Sequence, residues 1–285
     1  MTWLHVAKKD FHDAGRSRLL WVLTALLVLL VAGVAAIPYV LAAATNDPTP
    51  TFESGLTFLF SPIGFLIPII GLAVGYRSIV GERESGSIRF LLGLPNSRED
   101  VLLGKVVGRT GVVTVPIVIG FAVGGVVIAA LYQGFDGLDY LGLLLFTVVM
   151  GLVYVAIAVG ISASVSTRGK ALGLVITVYA VVDWFWTFIP MSLYWILERS
   201  FPGFEDLPAW YLLLERLSPG QALSAISLTL IDTFGAGDVD LTAAGRVAGD
   251  VPFYLETWFA WVIVLGWIVV PLAVGYLRFR SALLN

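Results

Sequence analysis

The sequence predicts an all-α integral membrane protein with six transmembrane helices, and three observations lead to that class. Hydrophobic residues make up 58% of the 285 residues and charged residues 13%, whereas an ordinary soluble domain carries about 25% charged residues. The apolar residues form six long blocks that are almost free of charge, which is typical of membrane spans. The connections between the blocks are rich in Lys and Arg on one side only. A soluble enzyme, a disordered chain and a disulfide-bonded scaffold are excluded, the last because cysteine is absent.

The six predicted spans follow one another along the chain. A helix rises about 1.5 Å per residue and the hydrocarbon core is about 30 Å thick, so about 20 residues cross it. The spans are Leu19–Ala44, Phe58–Tyr76, Val106–Tyr132, Tyr140–Val165, Ala171–Leu197 and Trp258–Leu277. We expect kinks at the span prolines Pro62, Pro68, Pro116 and Pro190. With their connections the spans predict a single transmembrane domain over residues 1–285.

The distribution of basic residues predicts the orientation in the membrane. Fourteen of the 17 Lys and Arg residues fall on one side of the spans, and only Arg199, Arg216 and Arg246 fall on the other. By the positive-inside rule both termini lie in the cytoplasm of a cell membrane. Most acidic residues fall on the exterior side, and Arg is far commoner than Lys. This composition suggests a prokaryotic source, with a halophilic archaeon as one that it would suit.

Residues 1–18 predict an amphipathic helix at the cytoplasmic membrane surface. Apolar residues recur at spacings of three and four, which places them on one helical face. They are Trp3, Val6, Ala7, Phe11 and Ala14. The alternative is a charged segment that serves only to set the topology.

The cytoplasmic loop 77–105 has helical signals of its own. Ile88, Leu91 and Leu92 form a small apolar face, and Pro95 ends that helix. Asn96, followed three residues later by Glu99, predicts the N-cap of a second helix that leads into the third span. A helix, a break and a second helix predict a compact projection that docks on a soluble partner. A charged turn without a partner is the alternative that periodicity leaves open.

The same loop resembles the ABC-2 type permease pattern, in which E-x-E-x-G-(S/T), L-L, P-x-S-R and K follow one another between the second and third spans. The matching residues are Glu82, Glu84, Gly86, Leu91, Leu92, Pro95, Ser97, Arg98 and Lys105. In its basic N-terminal segment and six-span plan the chain resembles in particular the NosY-type permeases. The resemblance implies that these residues, with Ile88, couple the chain to a separate ATPase subunit. It also implies an exporter in which two permease chains, as a homodimer, form the translocation path and bind two ATPase subunits.

The exterior loop 198–257 is long and acidic. Ser218 and Gln221 form a capping-box signature with Pro219 at the first helical position, and apolar residues follow on one face. Trp210 to Leu214 predict a companion helix just before it. The resemblance implies re-entrant helices that shield the path from outside, and the alternative is a surface loop whose helix lies on the lipid.

No catalytic, metal or cofactor site is predicted. The chain has no P-loop to hold nucleotide phosphates, so ATP hydrolysis falls to a partner chain. It has no Cys and only two His, and no charge block of the kind that binds nucleic acid. Gly235–Asp238 matches the G-x-G-D of intramembrane aspartyl proteases, but it falls in a polar exterior loop, where Gly and Asp simply form turns.

Asp183 is the one acidic residue deep inside a predicted span. An intramembrane carboxyl group is a functional candidate, here on the translocation path or at the dimer seam, although a hydrogen bond to a neighbouring helix would also explain it. Two further functions stay open as alternatives. One is a non-transporting membrane anchor for an ATPase and an extracytoplasmic maturation factor, and the other is an intramembrane enzyme.

Overall fold

The computed structural model describes residues 3–15, 18–45, 50–88, 97–235 and 242–281. These ranges are helical and contain no β-strand, apart from an isolated bridge between Leu207 and Val247. Five of the described helices are long and apolar enough to cross a membrane, and a bent pair makes a sixth. The predicted all-α membrane class is therefore confirmed.

The first six helices comprise two short ones, α1 and α4, and four long apolar ones. They are α1 (Trp3–Gly15), α2 (Leu20–Thr45), α3 (Phe52–Gly75), α4 (Val80–Glu84), α5 (Arg98–Leu131) and α6 (Gly137–Ser164). With its 34 residues α5 is about 51 Å long. It therefore exceeds the hydrocarbon thickness and begins eight residues before the predicted third span. The N-terminal segment predicted as a helix is helical, as α1.

The N-cap of α5 differs from the predicted one. Ser97 caps the helix: its hydroxyl accepts from the Asp100 backbone N–H at 3.0 Å, and the Asp100 carboxylate accepts from the Ser97 N–H at 3.1 Å. The prediction of Asn96 with Glu99 was thus wrong by one residue, and Asn96 itself lies outside the described residues. Both pairs have the same spacing, but the Glu99 carboxylate accepts from the Tyr276 hydroxyl at 2.5 Å instead.

The fifth predicted span is a broken helix. Its two parts, α7 (Arg168–Phe185) and α8 (Phe188–Glu198), meet at a bend of 45°. The end of α7 is π-helical over Ala180–Phe185. Pro190 lies in the first turn of α8, where its missing N–H is tolerated. Its ring would clash with the backbone of a preceding helical turn, so α7 and α8 do not form one continuous helix. The expected kink near Pro190 is therefore confirmed, whereas Pro62, Pro68 and Pro116 lie inside the continuous helices α3 and α5.

The remaining elements are short helices and a last span. They are α9 (Ala209–Arg216), α10 (Pro219–Leu230), α11 (Asp232–Gly235), α12 (Ala243–Arg246) and α13 (Thr257–Ser281). The Ser218 hydroxyl accepts from the Gln221 N–H at 3.2 Å at the start of α10. Both helices predicted before the last span are confirmed as helices.

The helices divide into two compact units, the first from the described parts of 1–175 and 268–285, the second from those of 176–267. In the first unit α5 packs against α1, α2, α3 and α6. Close packing in this unit depends on glycine. A Cβ on Gly75 would lie 2.6 Å from that of Ala158, and one on Gly160 would collide with the Pro271 carbonyl. In the second unit Leu207, Tyr211, Leu212, Val247 and Leu255 form a small core.

Candidate functional site

Four charged side chains from three separate segments form a buried ion-pair cluster: Asp10, Glu82, Lys105 and Arg109. Lys105 Nζ lies 2.7 Å from Asp10 Oδ1 and 2.5 Å from Glu82 Oε1. Arg109 Nε lies 2.7 Å from Asp10 Oδ2. The Asp10 and Lys105 side chains are each 4% exposed, while those of Glu82 and Arg109 are each 23% exposed. The cluster therefore joins α1, α4 and α5 in one polar contact.

The charges of this cluster balance, which is why it can be buried. Two carboxylates face two cations, so no net charge is removed from water. Losing one partner of a buried pair leaves an uncompensated charge and is strongly destabilising, while the complete pair contributes little net stability. The cluster is therefore better suited to fixing the relative positions of the three helices than to holding the fold together.

The cluster forms because glycines of α5 let α1 approach closely. A Cβ on Gly104 would lie 2.6 Å from the Val6 Cβ, and one on Gly108 would lie 3.0 Å from the Asp10 Cβ. Gly104 and Gly108 are one helical turn apart and so lie on one face of α5. The apolar face predicted for α1 thus packs in part on protein, since Val6 and Ala7 are buried there.

Glu84 makes a second ionic contact, to the connection between α6 and α7. Its Oε2 lies 2.8 Å from Arg168 Nε, and its Oε1 accepts from the Arg168 backbone N–H at 2.6 Å. Arg168 also donates to the Gly81 carbonyl at 3.1 Å. Nearby, the Ser162 hydroxyl accepts from the Ile79 and Val80 N–H groups at 3.1 and 3.0 Å. The short helix α4 is therefore held at both ends.

Arg98 binds the end of the last helix. Its guanidinium donates to the carbonyl oxygens of Phe279 and Arg280, the latter at 2.7 Å, and lies 5.3 Å from the centre of the Phe279 ring. The last carbonyls of a helix have no partner within that helix, and a cation there is favourable. Arg98 therefore ties the start of α5 to the end of α13.

The turn after α4 is exposed but ordered by hydrogen bonds. Gly86 has φ +74°, a left-handed conformation that glycine adopts without strain. The Ser85 and Ser87 hydroxyls lie 2.9 Å apart, and both donate to the Glu82 carbonyl, at 3.2 and 3.5 Å. Ile88, which follows the turn, is buried within the chain.

The structure thus brings Glu82, Glu84, Arg98 and Lys105 into contacts within the chain. Leu91, Leu92 and Pro95 lie outside the described residues, and so does Asp238 of the G-x-G-D match. Asp10 and Arg109 were missed from the sequence. A signal for Asp10 is present, because it follows Val6 by one helical turn on a face that is otherwise apolar.

Asp183 lies in the π-helical end of α7, next to the first turn of α10. A Cβ on Gly220 would lie 3.3 Å from Asp183 Oδ1, so glycine at that position makes room for the carboxyl group. The N-terminus of a helix carries a partial positive charge that favours an anion. Close by, the Trp186 indole N–H donates to the Leu214 carbonyl at 2.8 Å, which ties the broken span to α9.

Two arginines fix the short helices of the second unit. Arg246 pairs with Glu215 at 3.0 Å. Arg216 donates to the carbonyls of Leu255 and Glu256, just before α13. Burial lowers the pKa of the Arg216 guanidinium from its ordinary value. In the described ranges no group of three or more His, Cys, Asp or Glu side chains lies close enough to hold a metal ion.

Comparisons with known proteins identify the family. The family model described as ABC-2 family transporter protein matches residues 4–282. The probable ABC transporter permease protein NosY of Stutzerimonas stutzeri is 29% identical over 288 residues, covering 98% of both chains. Its counterpart in Pseudomonas aeruginosa is 28% identical over 283 residues, covering 96% of both. Both relatives are bacterial, and the halophilic source stays a prediction. The chain belongs to the ABC-2 family of transporter proteins, as a multi-pass membrane permease that resembles NosY.

Proposed function

We propose that this chain is the permease subunit of an ATP-driven export complex. Two copies form the translocation path as a homodimer, each copy binds one ATPase subunit, and both termini lie in the cytoplasm. The family, the names of the relatives and the lack of a P-loop in the sequence support this proposal. The excess of Lys and Arg on one side supports the orientation.

The observation that carries the proposal is the anchoring of the loop between the second and third spans. Its Ser85–Ser87 turn is hydrogen-bonded to the Glu82 carbonyl, and the Glu82 carboxylate binds Lys105 in the buried cluster. A force on the turn therefore acts on α4, and through Lys105 on α5 and α1. An isolated flexible loop would absorb such a force by changing its own conformation.

Coupling then requires the ATPase to bind this loop differently in its nucleotide-bound and nucleotide-free states, because only a difference in binding free energy shifts a conformational equilibrium. Within the loop we divide the roles. Glu82, Arg98 and Lys105 position it, and the exposed Ser85 and Ser87 contact the ATPase, together with Leu91 and Leu92. Interface anchors of this kind commonly cost about 2 kcal/mol or more when truncated, about a thirtyfold loss of affinity.

Purification of the complex in mild detergent tests the proposal. Leu91→Ala with Leu92→Ala should release the ATPase subunit while the permease is still inserted and expressed at the normal level. The matched control is Leu138→Ala with Leu141→Ala, which truncates two exposed leucines of α6 outside the loop. Full retention of the ATPase by the Leu91 and Leu92 variant would overturn the assignment of this loop.

Asp183 is proposed as a residue of the path or of the seam between the two permease chains. Its place beside the first turn of α10 supports this, because movement of α10 would change the environment of the carboxyl group. The substitution Asp183→Asn keeps the shape of the side chain and removes the charge. It therefore shows whether the function of this residue depends on its charge or only on its shape.

A further inference from the structure

An open cavity of about 340 Å³ lies among the ends of four helices in the first unit. Its wall includes Arg83 from α4, Lys170 from the first turn of α7 and Arg278 from the last turn of α13. The serines of the wall are Ser164, Ser166 and Ser281. This cavity shares no lining residue with the ion-pair cluster, and the coupling proposal does not use it.

The cavity is strongly basic. Three cations line it and no acidic residue does. Within the described part of the chain, Arg83, Lys170 and Arg278 make no ion pair within 4.0 Å. The acidic neighbours of Arg83 on α4 are Glu82 and Glu84, whose carboxylates are already bound to Lys105 and Arg168. Unlike the balanced cluster, this cavity therefore carries a net positive charge that an anion would neutralise.

The walls of the cavity are held in position by the fold. Arg83 donates to the Val165 carbonyl at 2.8 Å, which fixes its guanidinium and uses one of its five N–H donors. Ser164 and Ser281 donate their hydroxyls to carbonyls of their own helices. The cations rather than the hydroxyls would therefore carry the recognition of an anion.

The position of the cavity suits phospholipid phosphates. It lies between the last residue of the apolar helix α6, Ser164, and the first turn of α7, so we expect it near the level at which the spans leave the hydrocarbon. Phosphate groups line both surfaces of a bilayer at this level, and basic pockets between transmembrane helices bind anionic head groups. Arg matches the geometry of phosphate oxygens, and Lys supplies a point charge.

We propose that this cavity is a phosphate-binding site, formed by Arg83, Lys170 and Arg278. Its ligand is the phosphate of an anionic phospholipid head group or a free phosphate ion, since both present the same oxygens and charge. At about 340 Å³ the cavity has room for a phosphate group. The proposal holds whichever way the chain is oriented in the membrane.

The test compares two double variants of the full chain. Lys170→Gln with Arg278→Gln removes two cations that are exposed and make no ion pair among the described residues. The control, Lys9→Gln with Arg280→Gln, removes two exposed cations outside the cavity, one of them on the same helix as Arg278. Arg83 is kept because its bond to Val165 holds the wall. Thermal unfolding should be the same for both variants.

Native mass spectrometry then counts the dioleoylphosphatidylglycerol that the chain retains, with dioleoylphosphatidylcholine as the neutral comparison, and calorimetry measures binding of inorganic phosphate. We expect the cavity variant to bind one of these anions about tenfold or more weakly, while the control variant binds like the wild type. A loss confined to phosphatidylglycerol identifies a lipid, and a loss confined to inorganic phosphate identifies the free ion. Equal binding by both variants would overturn the proposal, and so would release of the ATPase with unchanged anion binding.

Discussion

The buried pair of Asp10 and Lys105 should be coupled far more strongly than the half-exposed pair of Glu84 and Arg168. Both pairs join a carboxylate to a cation at nearly the same distance, 2.7 and 2.8 Å. They differ in exposure: both side chains of the first pair are 4% exposed, whereas those of the second are 39% and 33% exposed. A double-mutant cycle at each pair therefore compares a pair inside the buried cluster, where Asp10 also binds Arg109 and Lys105 also binds Glu82, with a half-exposed pair outside it.

The exposures set the expected magnitudes. Surface ion pairs typically contribute about 0.2–1 kcal/mol, so the Glu84–Arg168 coupling energy should stay below about 1 kcal/mol. Contacts within one buried network reach about 3 kcal/mol, and we expect about 2–3 kcal/mol for Asp10 with Lys105. Lys105→Met alone should lower the free energy of unfolding by about 3 kcal/mol, because it leaves two carboxylates facing one cation.

The assay is the free energy of unfolding in mixed micelles, measured for Asp10→Asn, Lys105→Met and their combination. The matched cycle uses Glu84→Gln and Arg168→Met. Raising the salt concentration from about 0.1 M to about 1 M should remove most of the surface coupling and little of the buried one. Equal coupling energies at the two pairs, with the same salt dependence, would refute the argument from burial.

Three further predictions concern other parts of the chain. In a thermal unfolding assay, Gly104→Ala should destabilise the protein by about 1–3 kcal/mol, because its Cβ would lie 2.6 Å from Val6. The control Gly64→Ala, whose Cβ would meet nothing within 4 Å, should be neutral or slightly stabilising. Equal effects of the two substitutions would contradict this packing. Asp183→Asn should lower the ATPase activity of the reconstituted complex and leave docking intact, whereas unchanged activity would remove Asp183 from the site. A cysteine at Gln133 should react with an impermeant thiol reagent in intact cells, and one at Gly169 only after permeabilisation; the reverse pattern would invert the topology.

The features predicted best from the sequence are those that depend on neighbouring residues. The spans follow from apolar length, and α10 follows from Ser218, Pro219 and the apolar spacing after them, because capping and periodicity are local. The N-cap of α5 shows the limit of local reasoning. Asn96 with Glu99 and Ser97 with Asp100 have equal spacing, but Ser97 and Asp100 form the cap and Glu99 binds Tyr276, a contact with a residue remote in sequence.

The contacts of the candidate site were harder to predict because they join distant segments. The motif residues Glu82 and Lys105 were both predicted as functional positions, but not as partners of each other. Their contact depends on Gly104 and Gly108 admitting α1, and hence on Asp10, which no motif includes. Which charged residues meet in a buried cluster depends on tertiary packing. The spacing of residues along the chain gives little information about that packing.

The central claim, that the loop between the second and third spans contacts the ATPase, is tested most directly by site-specific cross-linking. The chain has no cysteine, so a single cysteine can carry a photoreactive benzophenone maleimide at one known position. Ser87 lies on the exposed turn of the loop, and Gln133 is an equally exposed control between α5 and α6. On illumination of the intact complex, the account predicts a cross-link from position 87 to the ATPase subunit and none from position 133. No cross-link from position 87 in a complex that still contains the ATPase would contradict it.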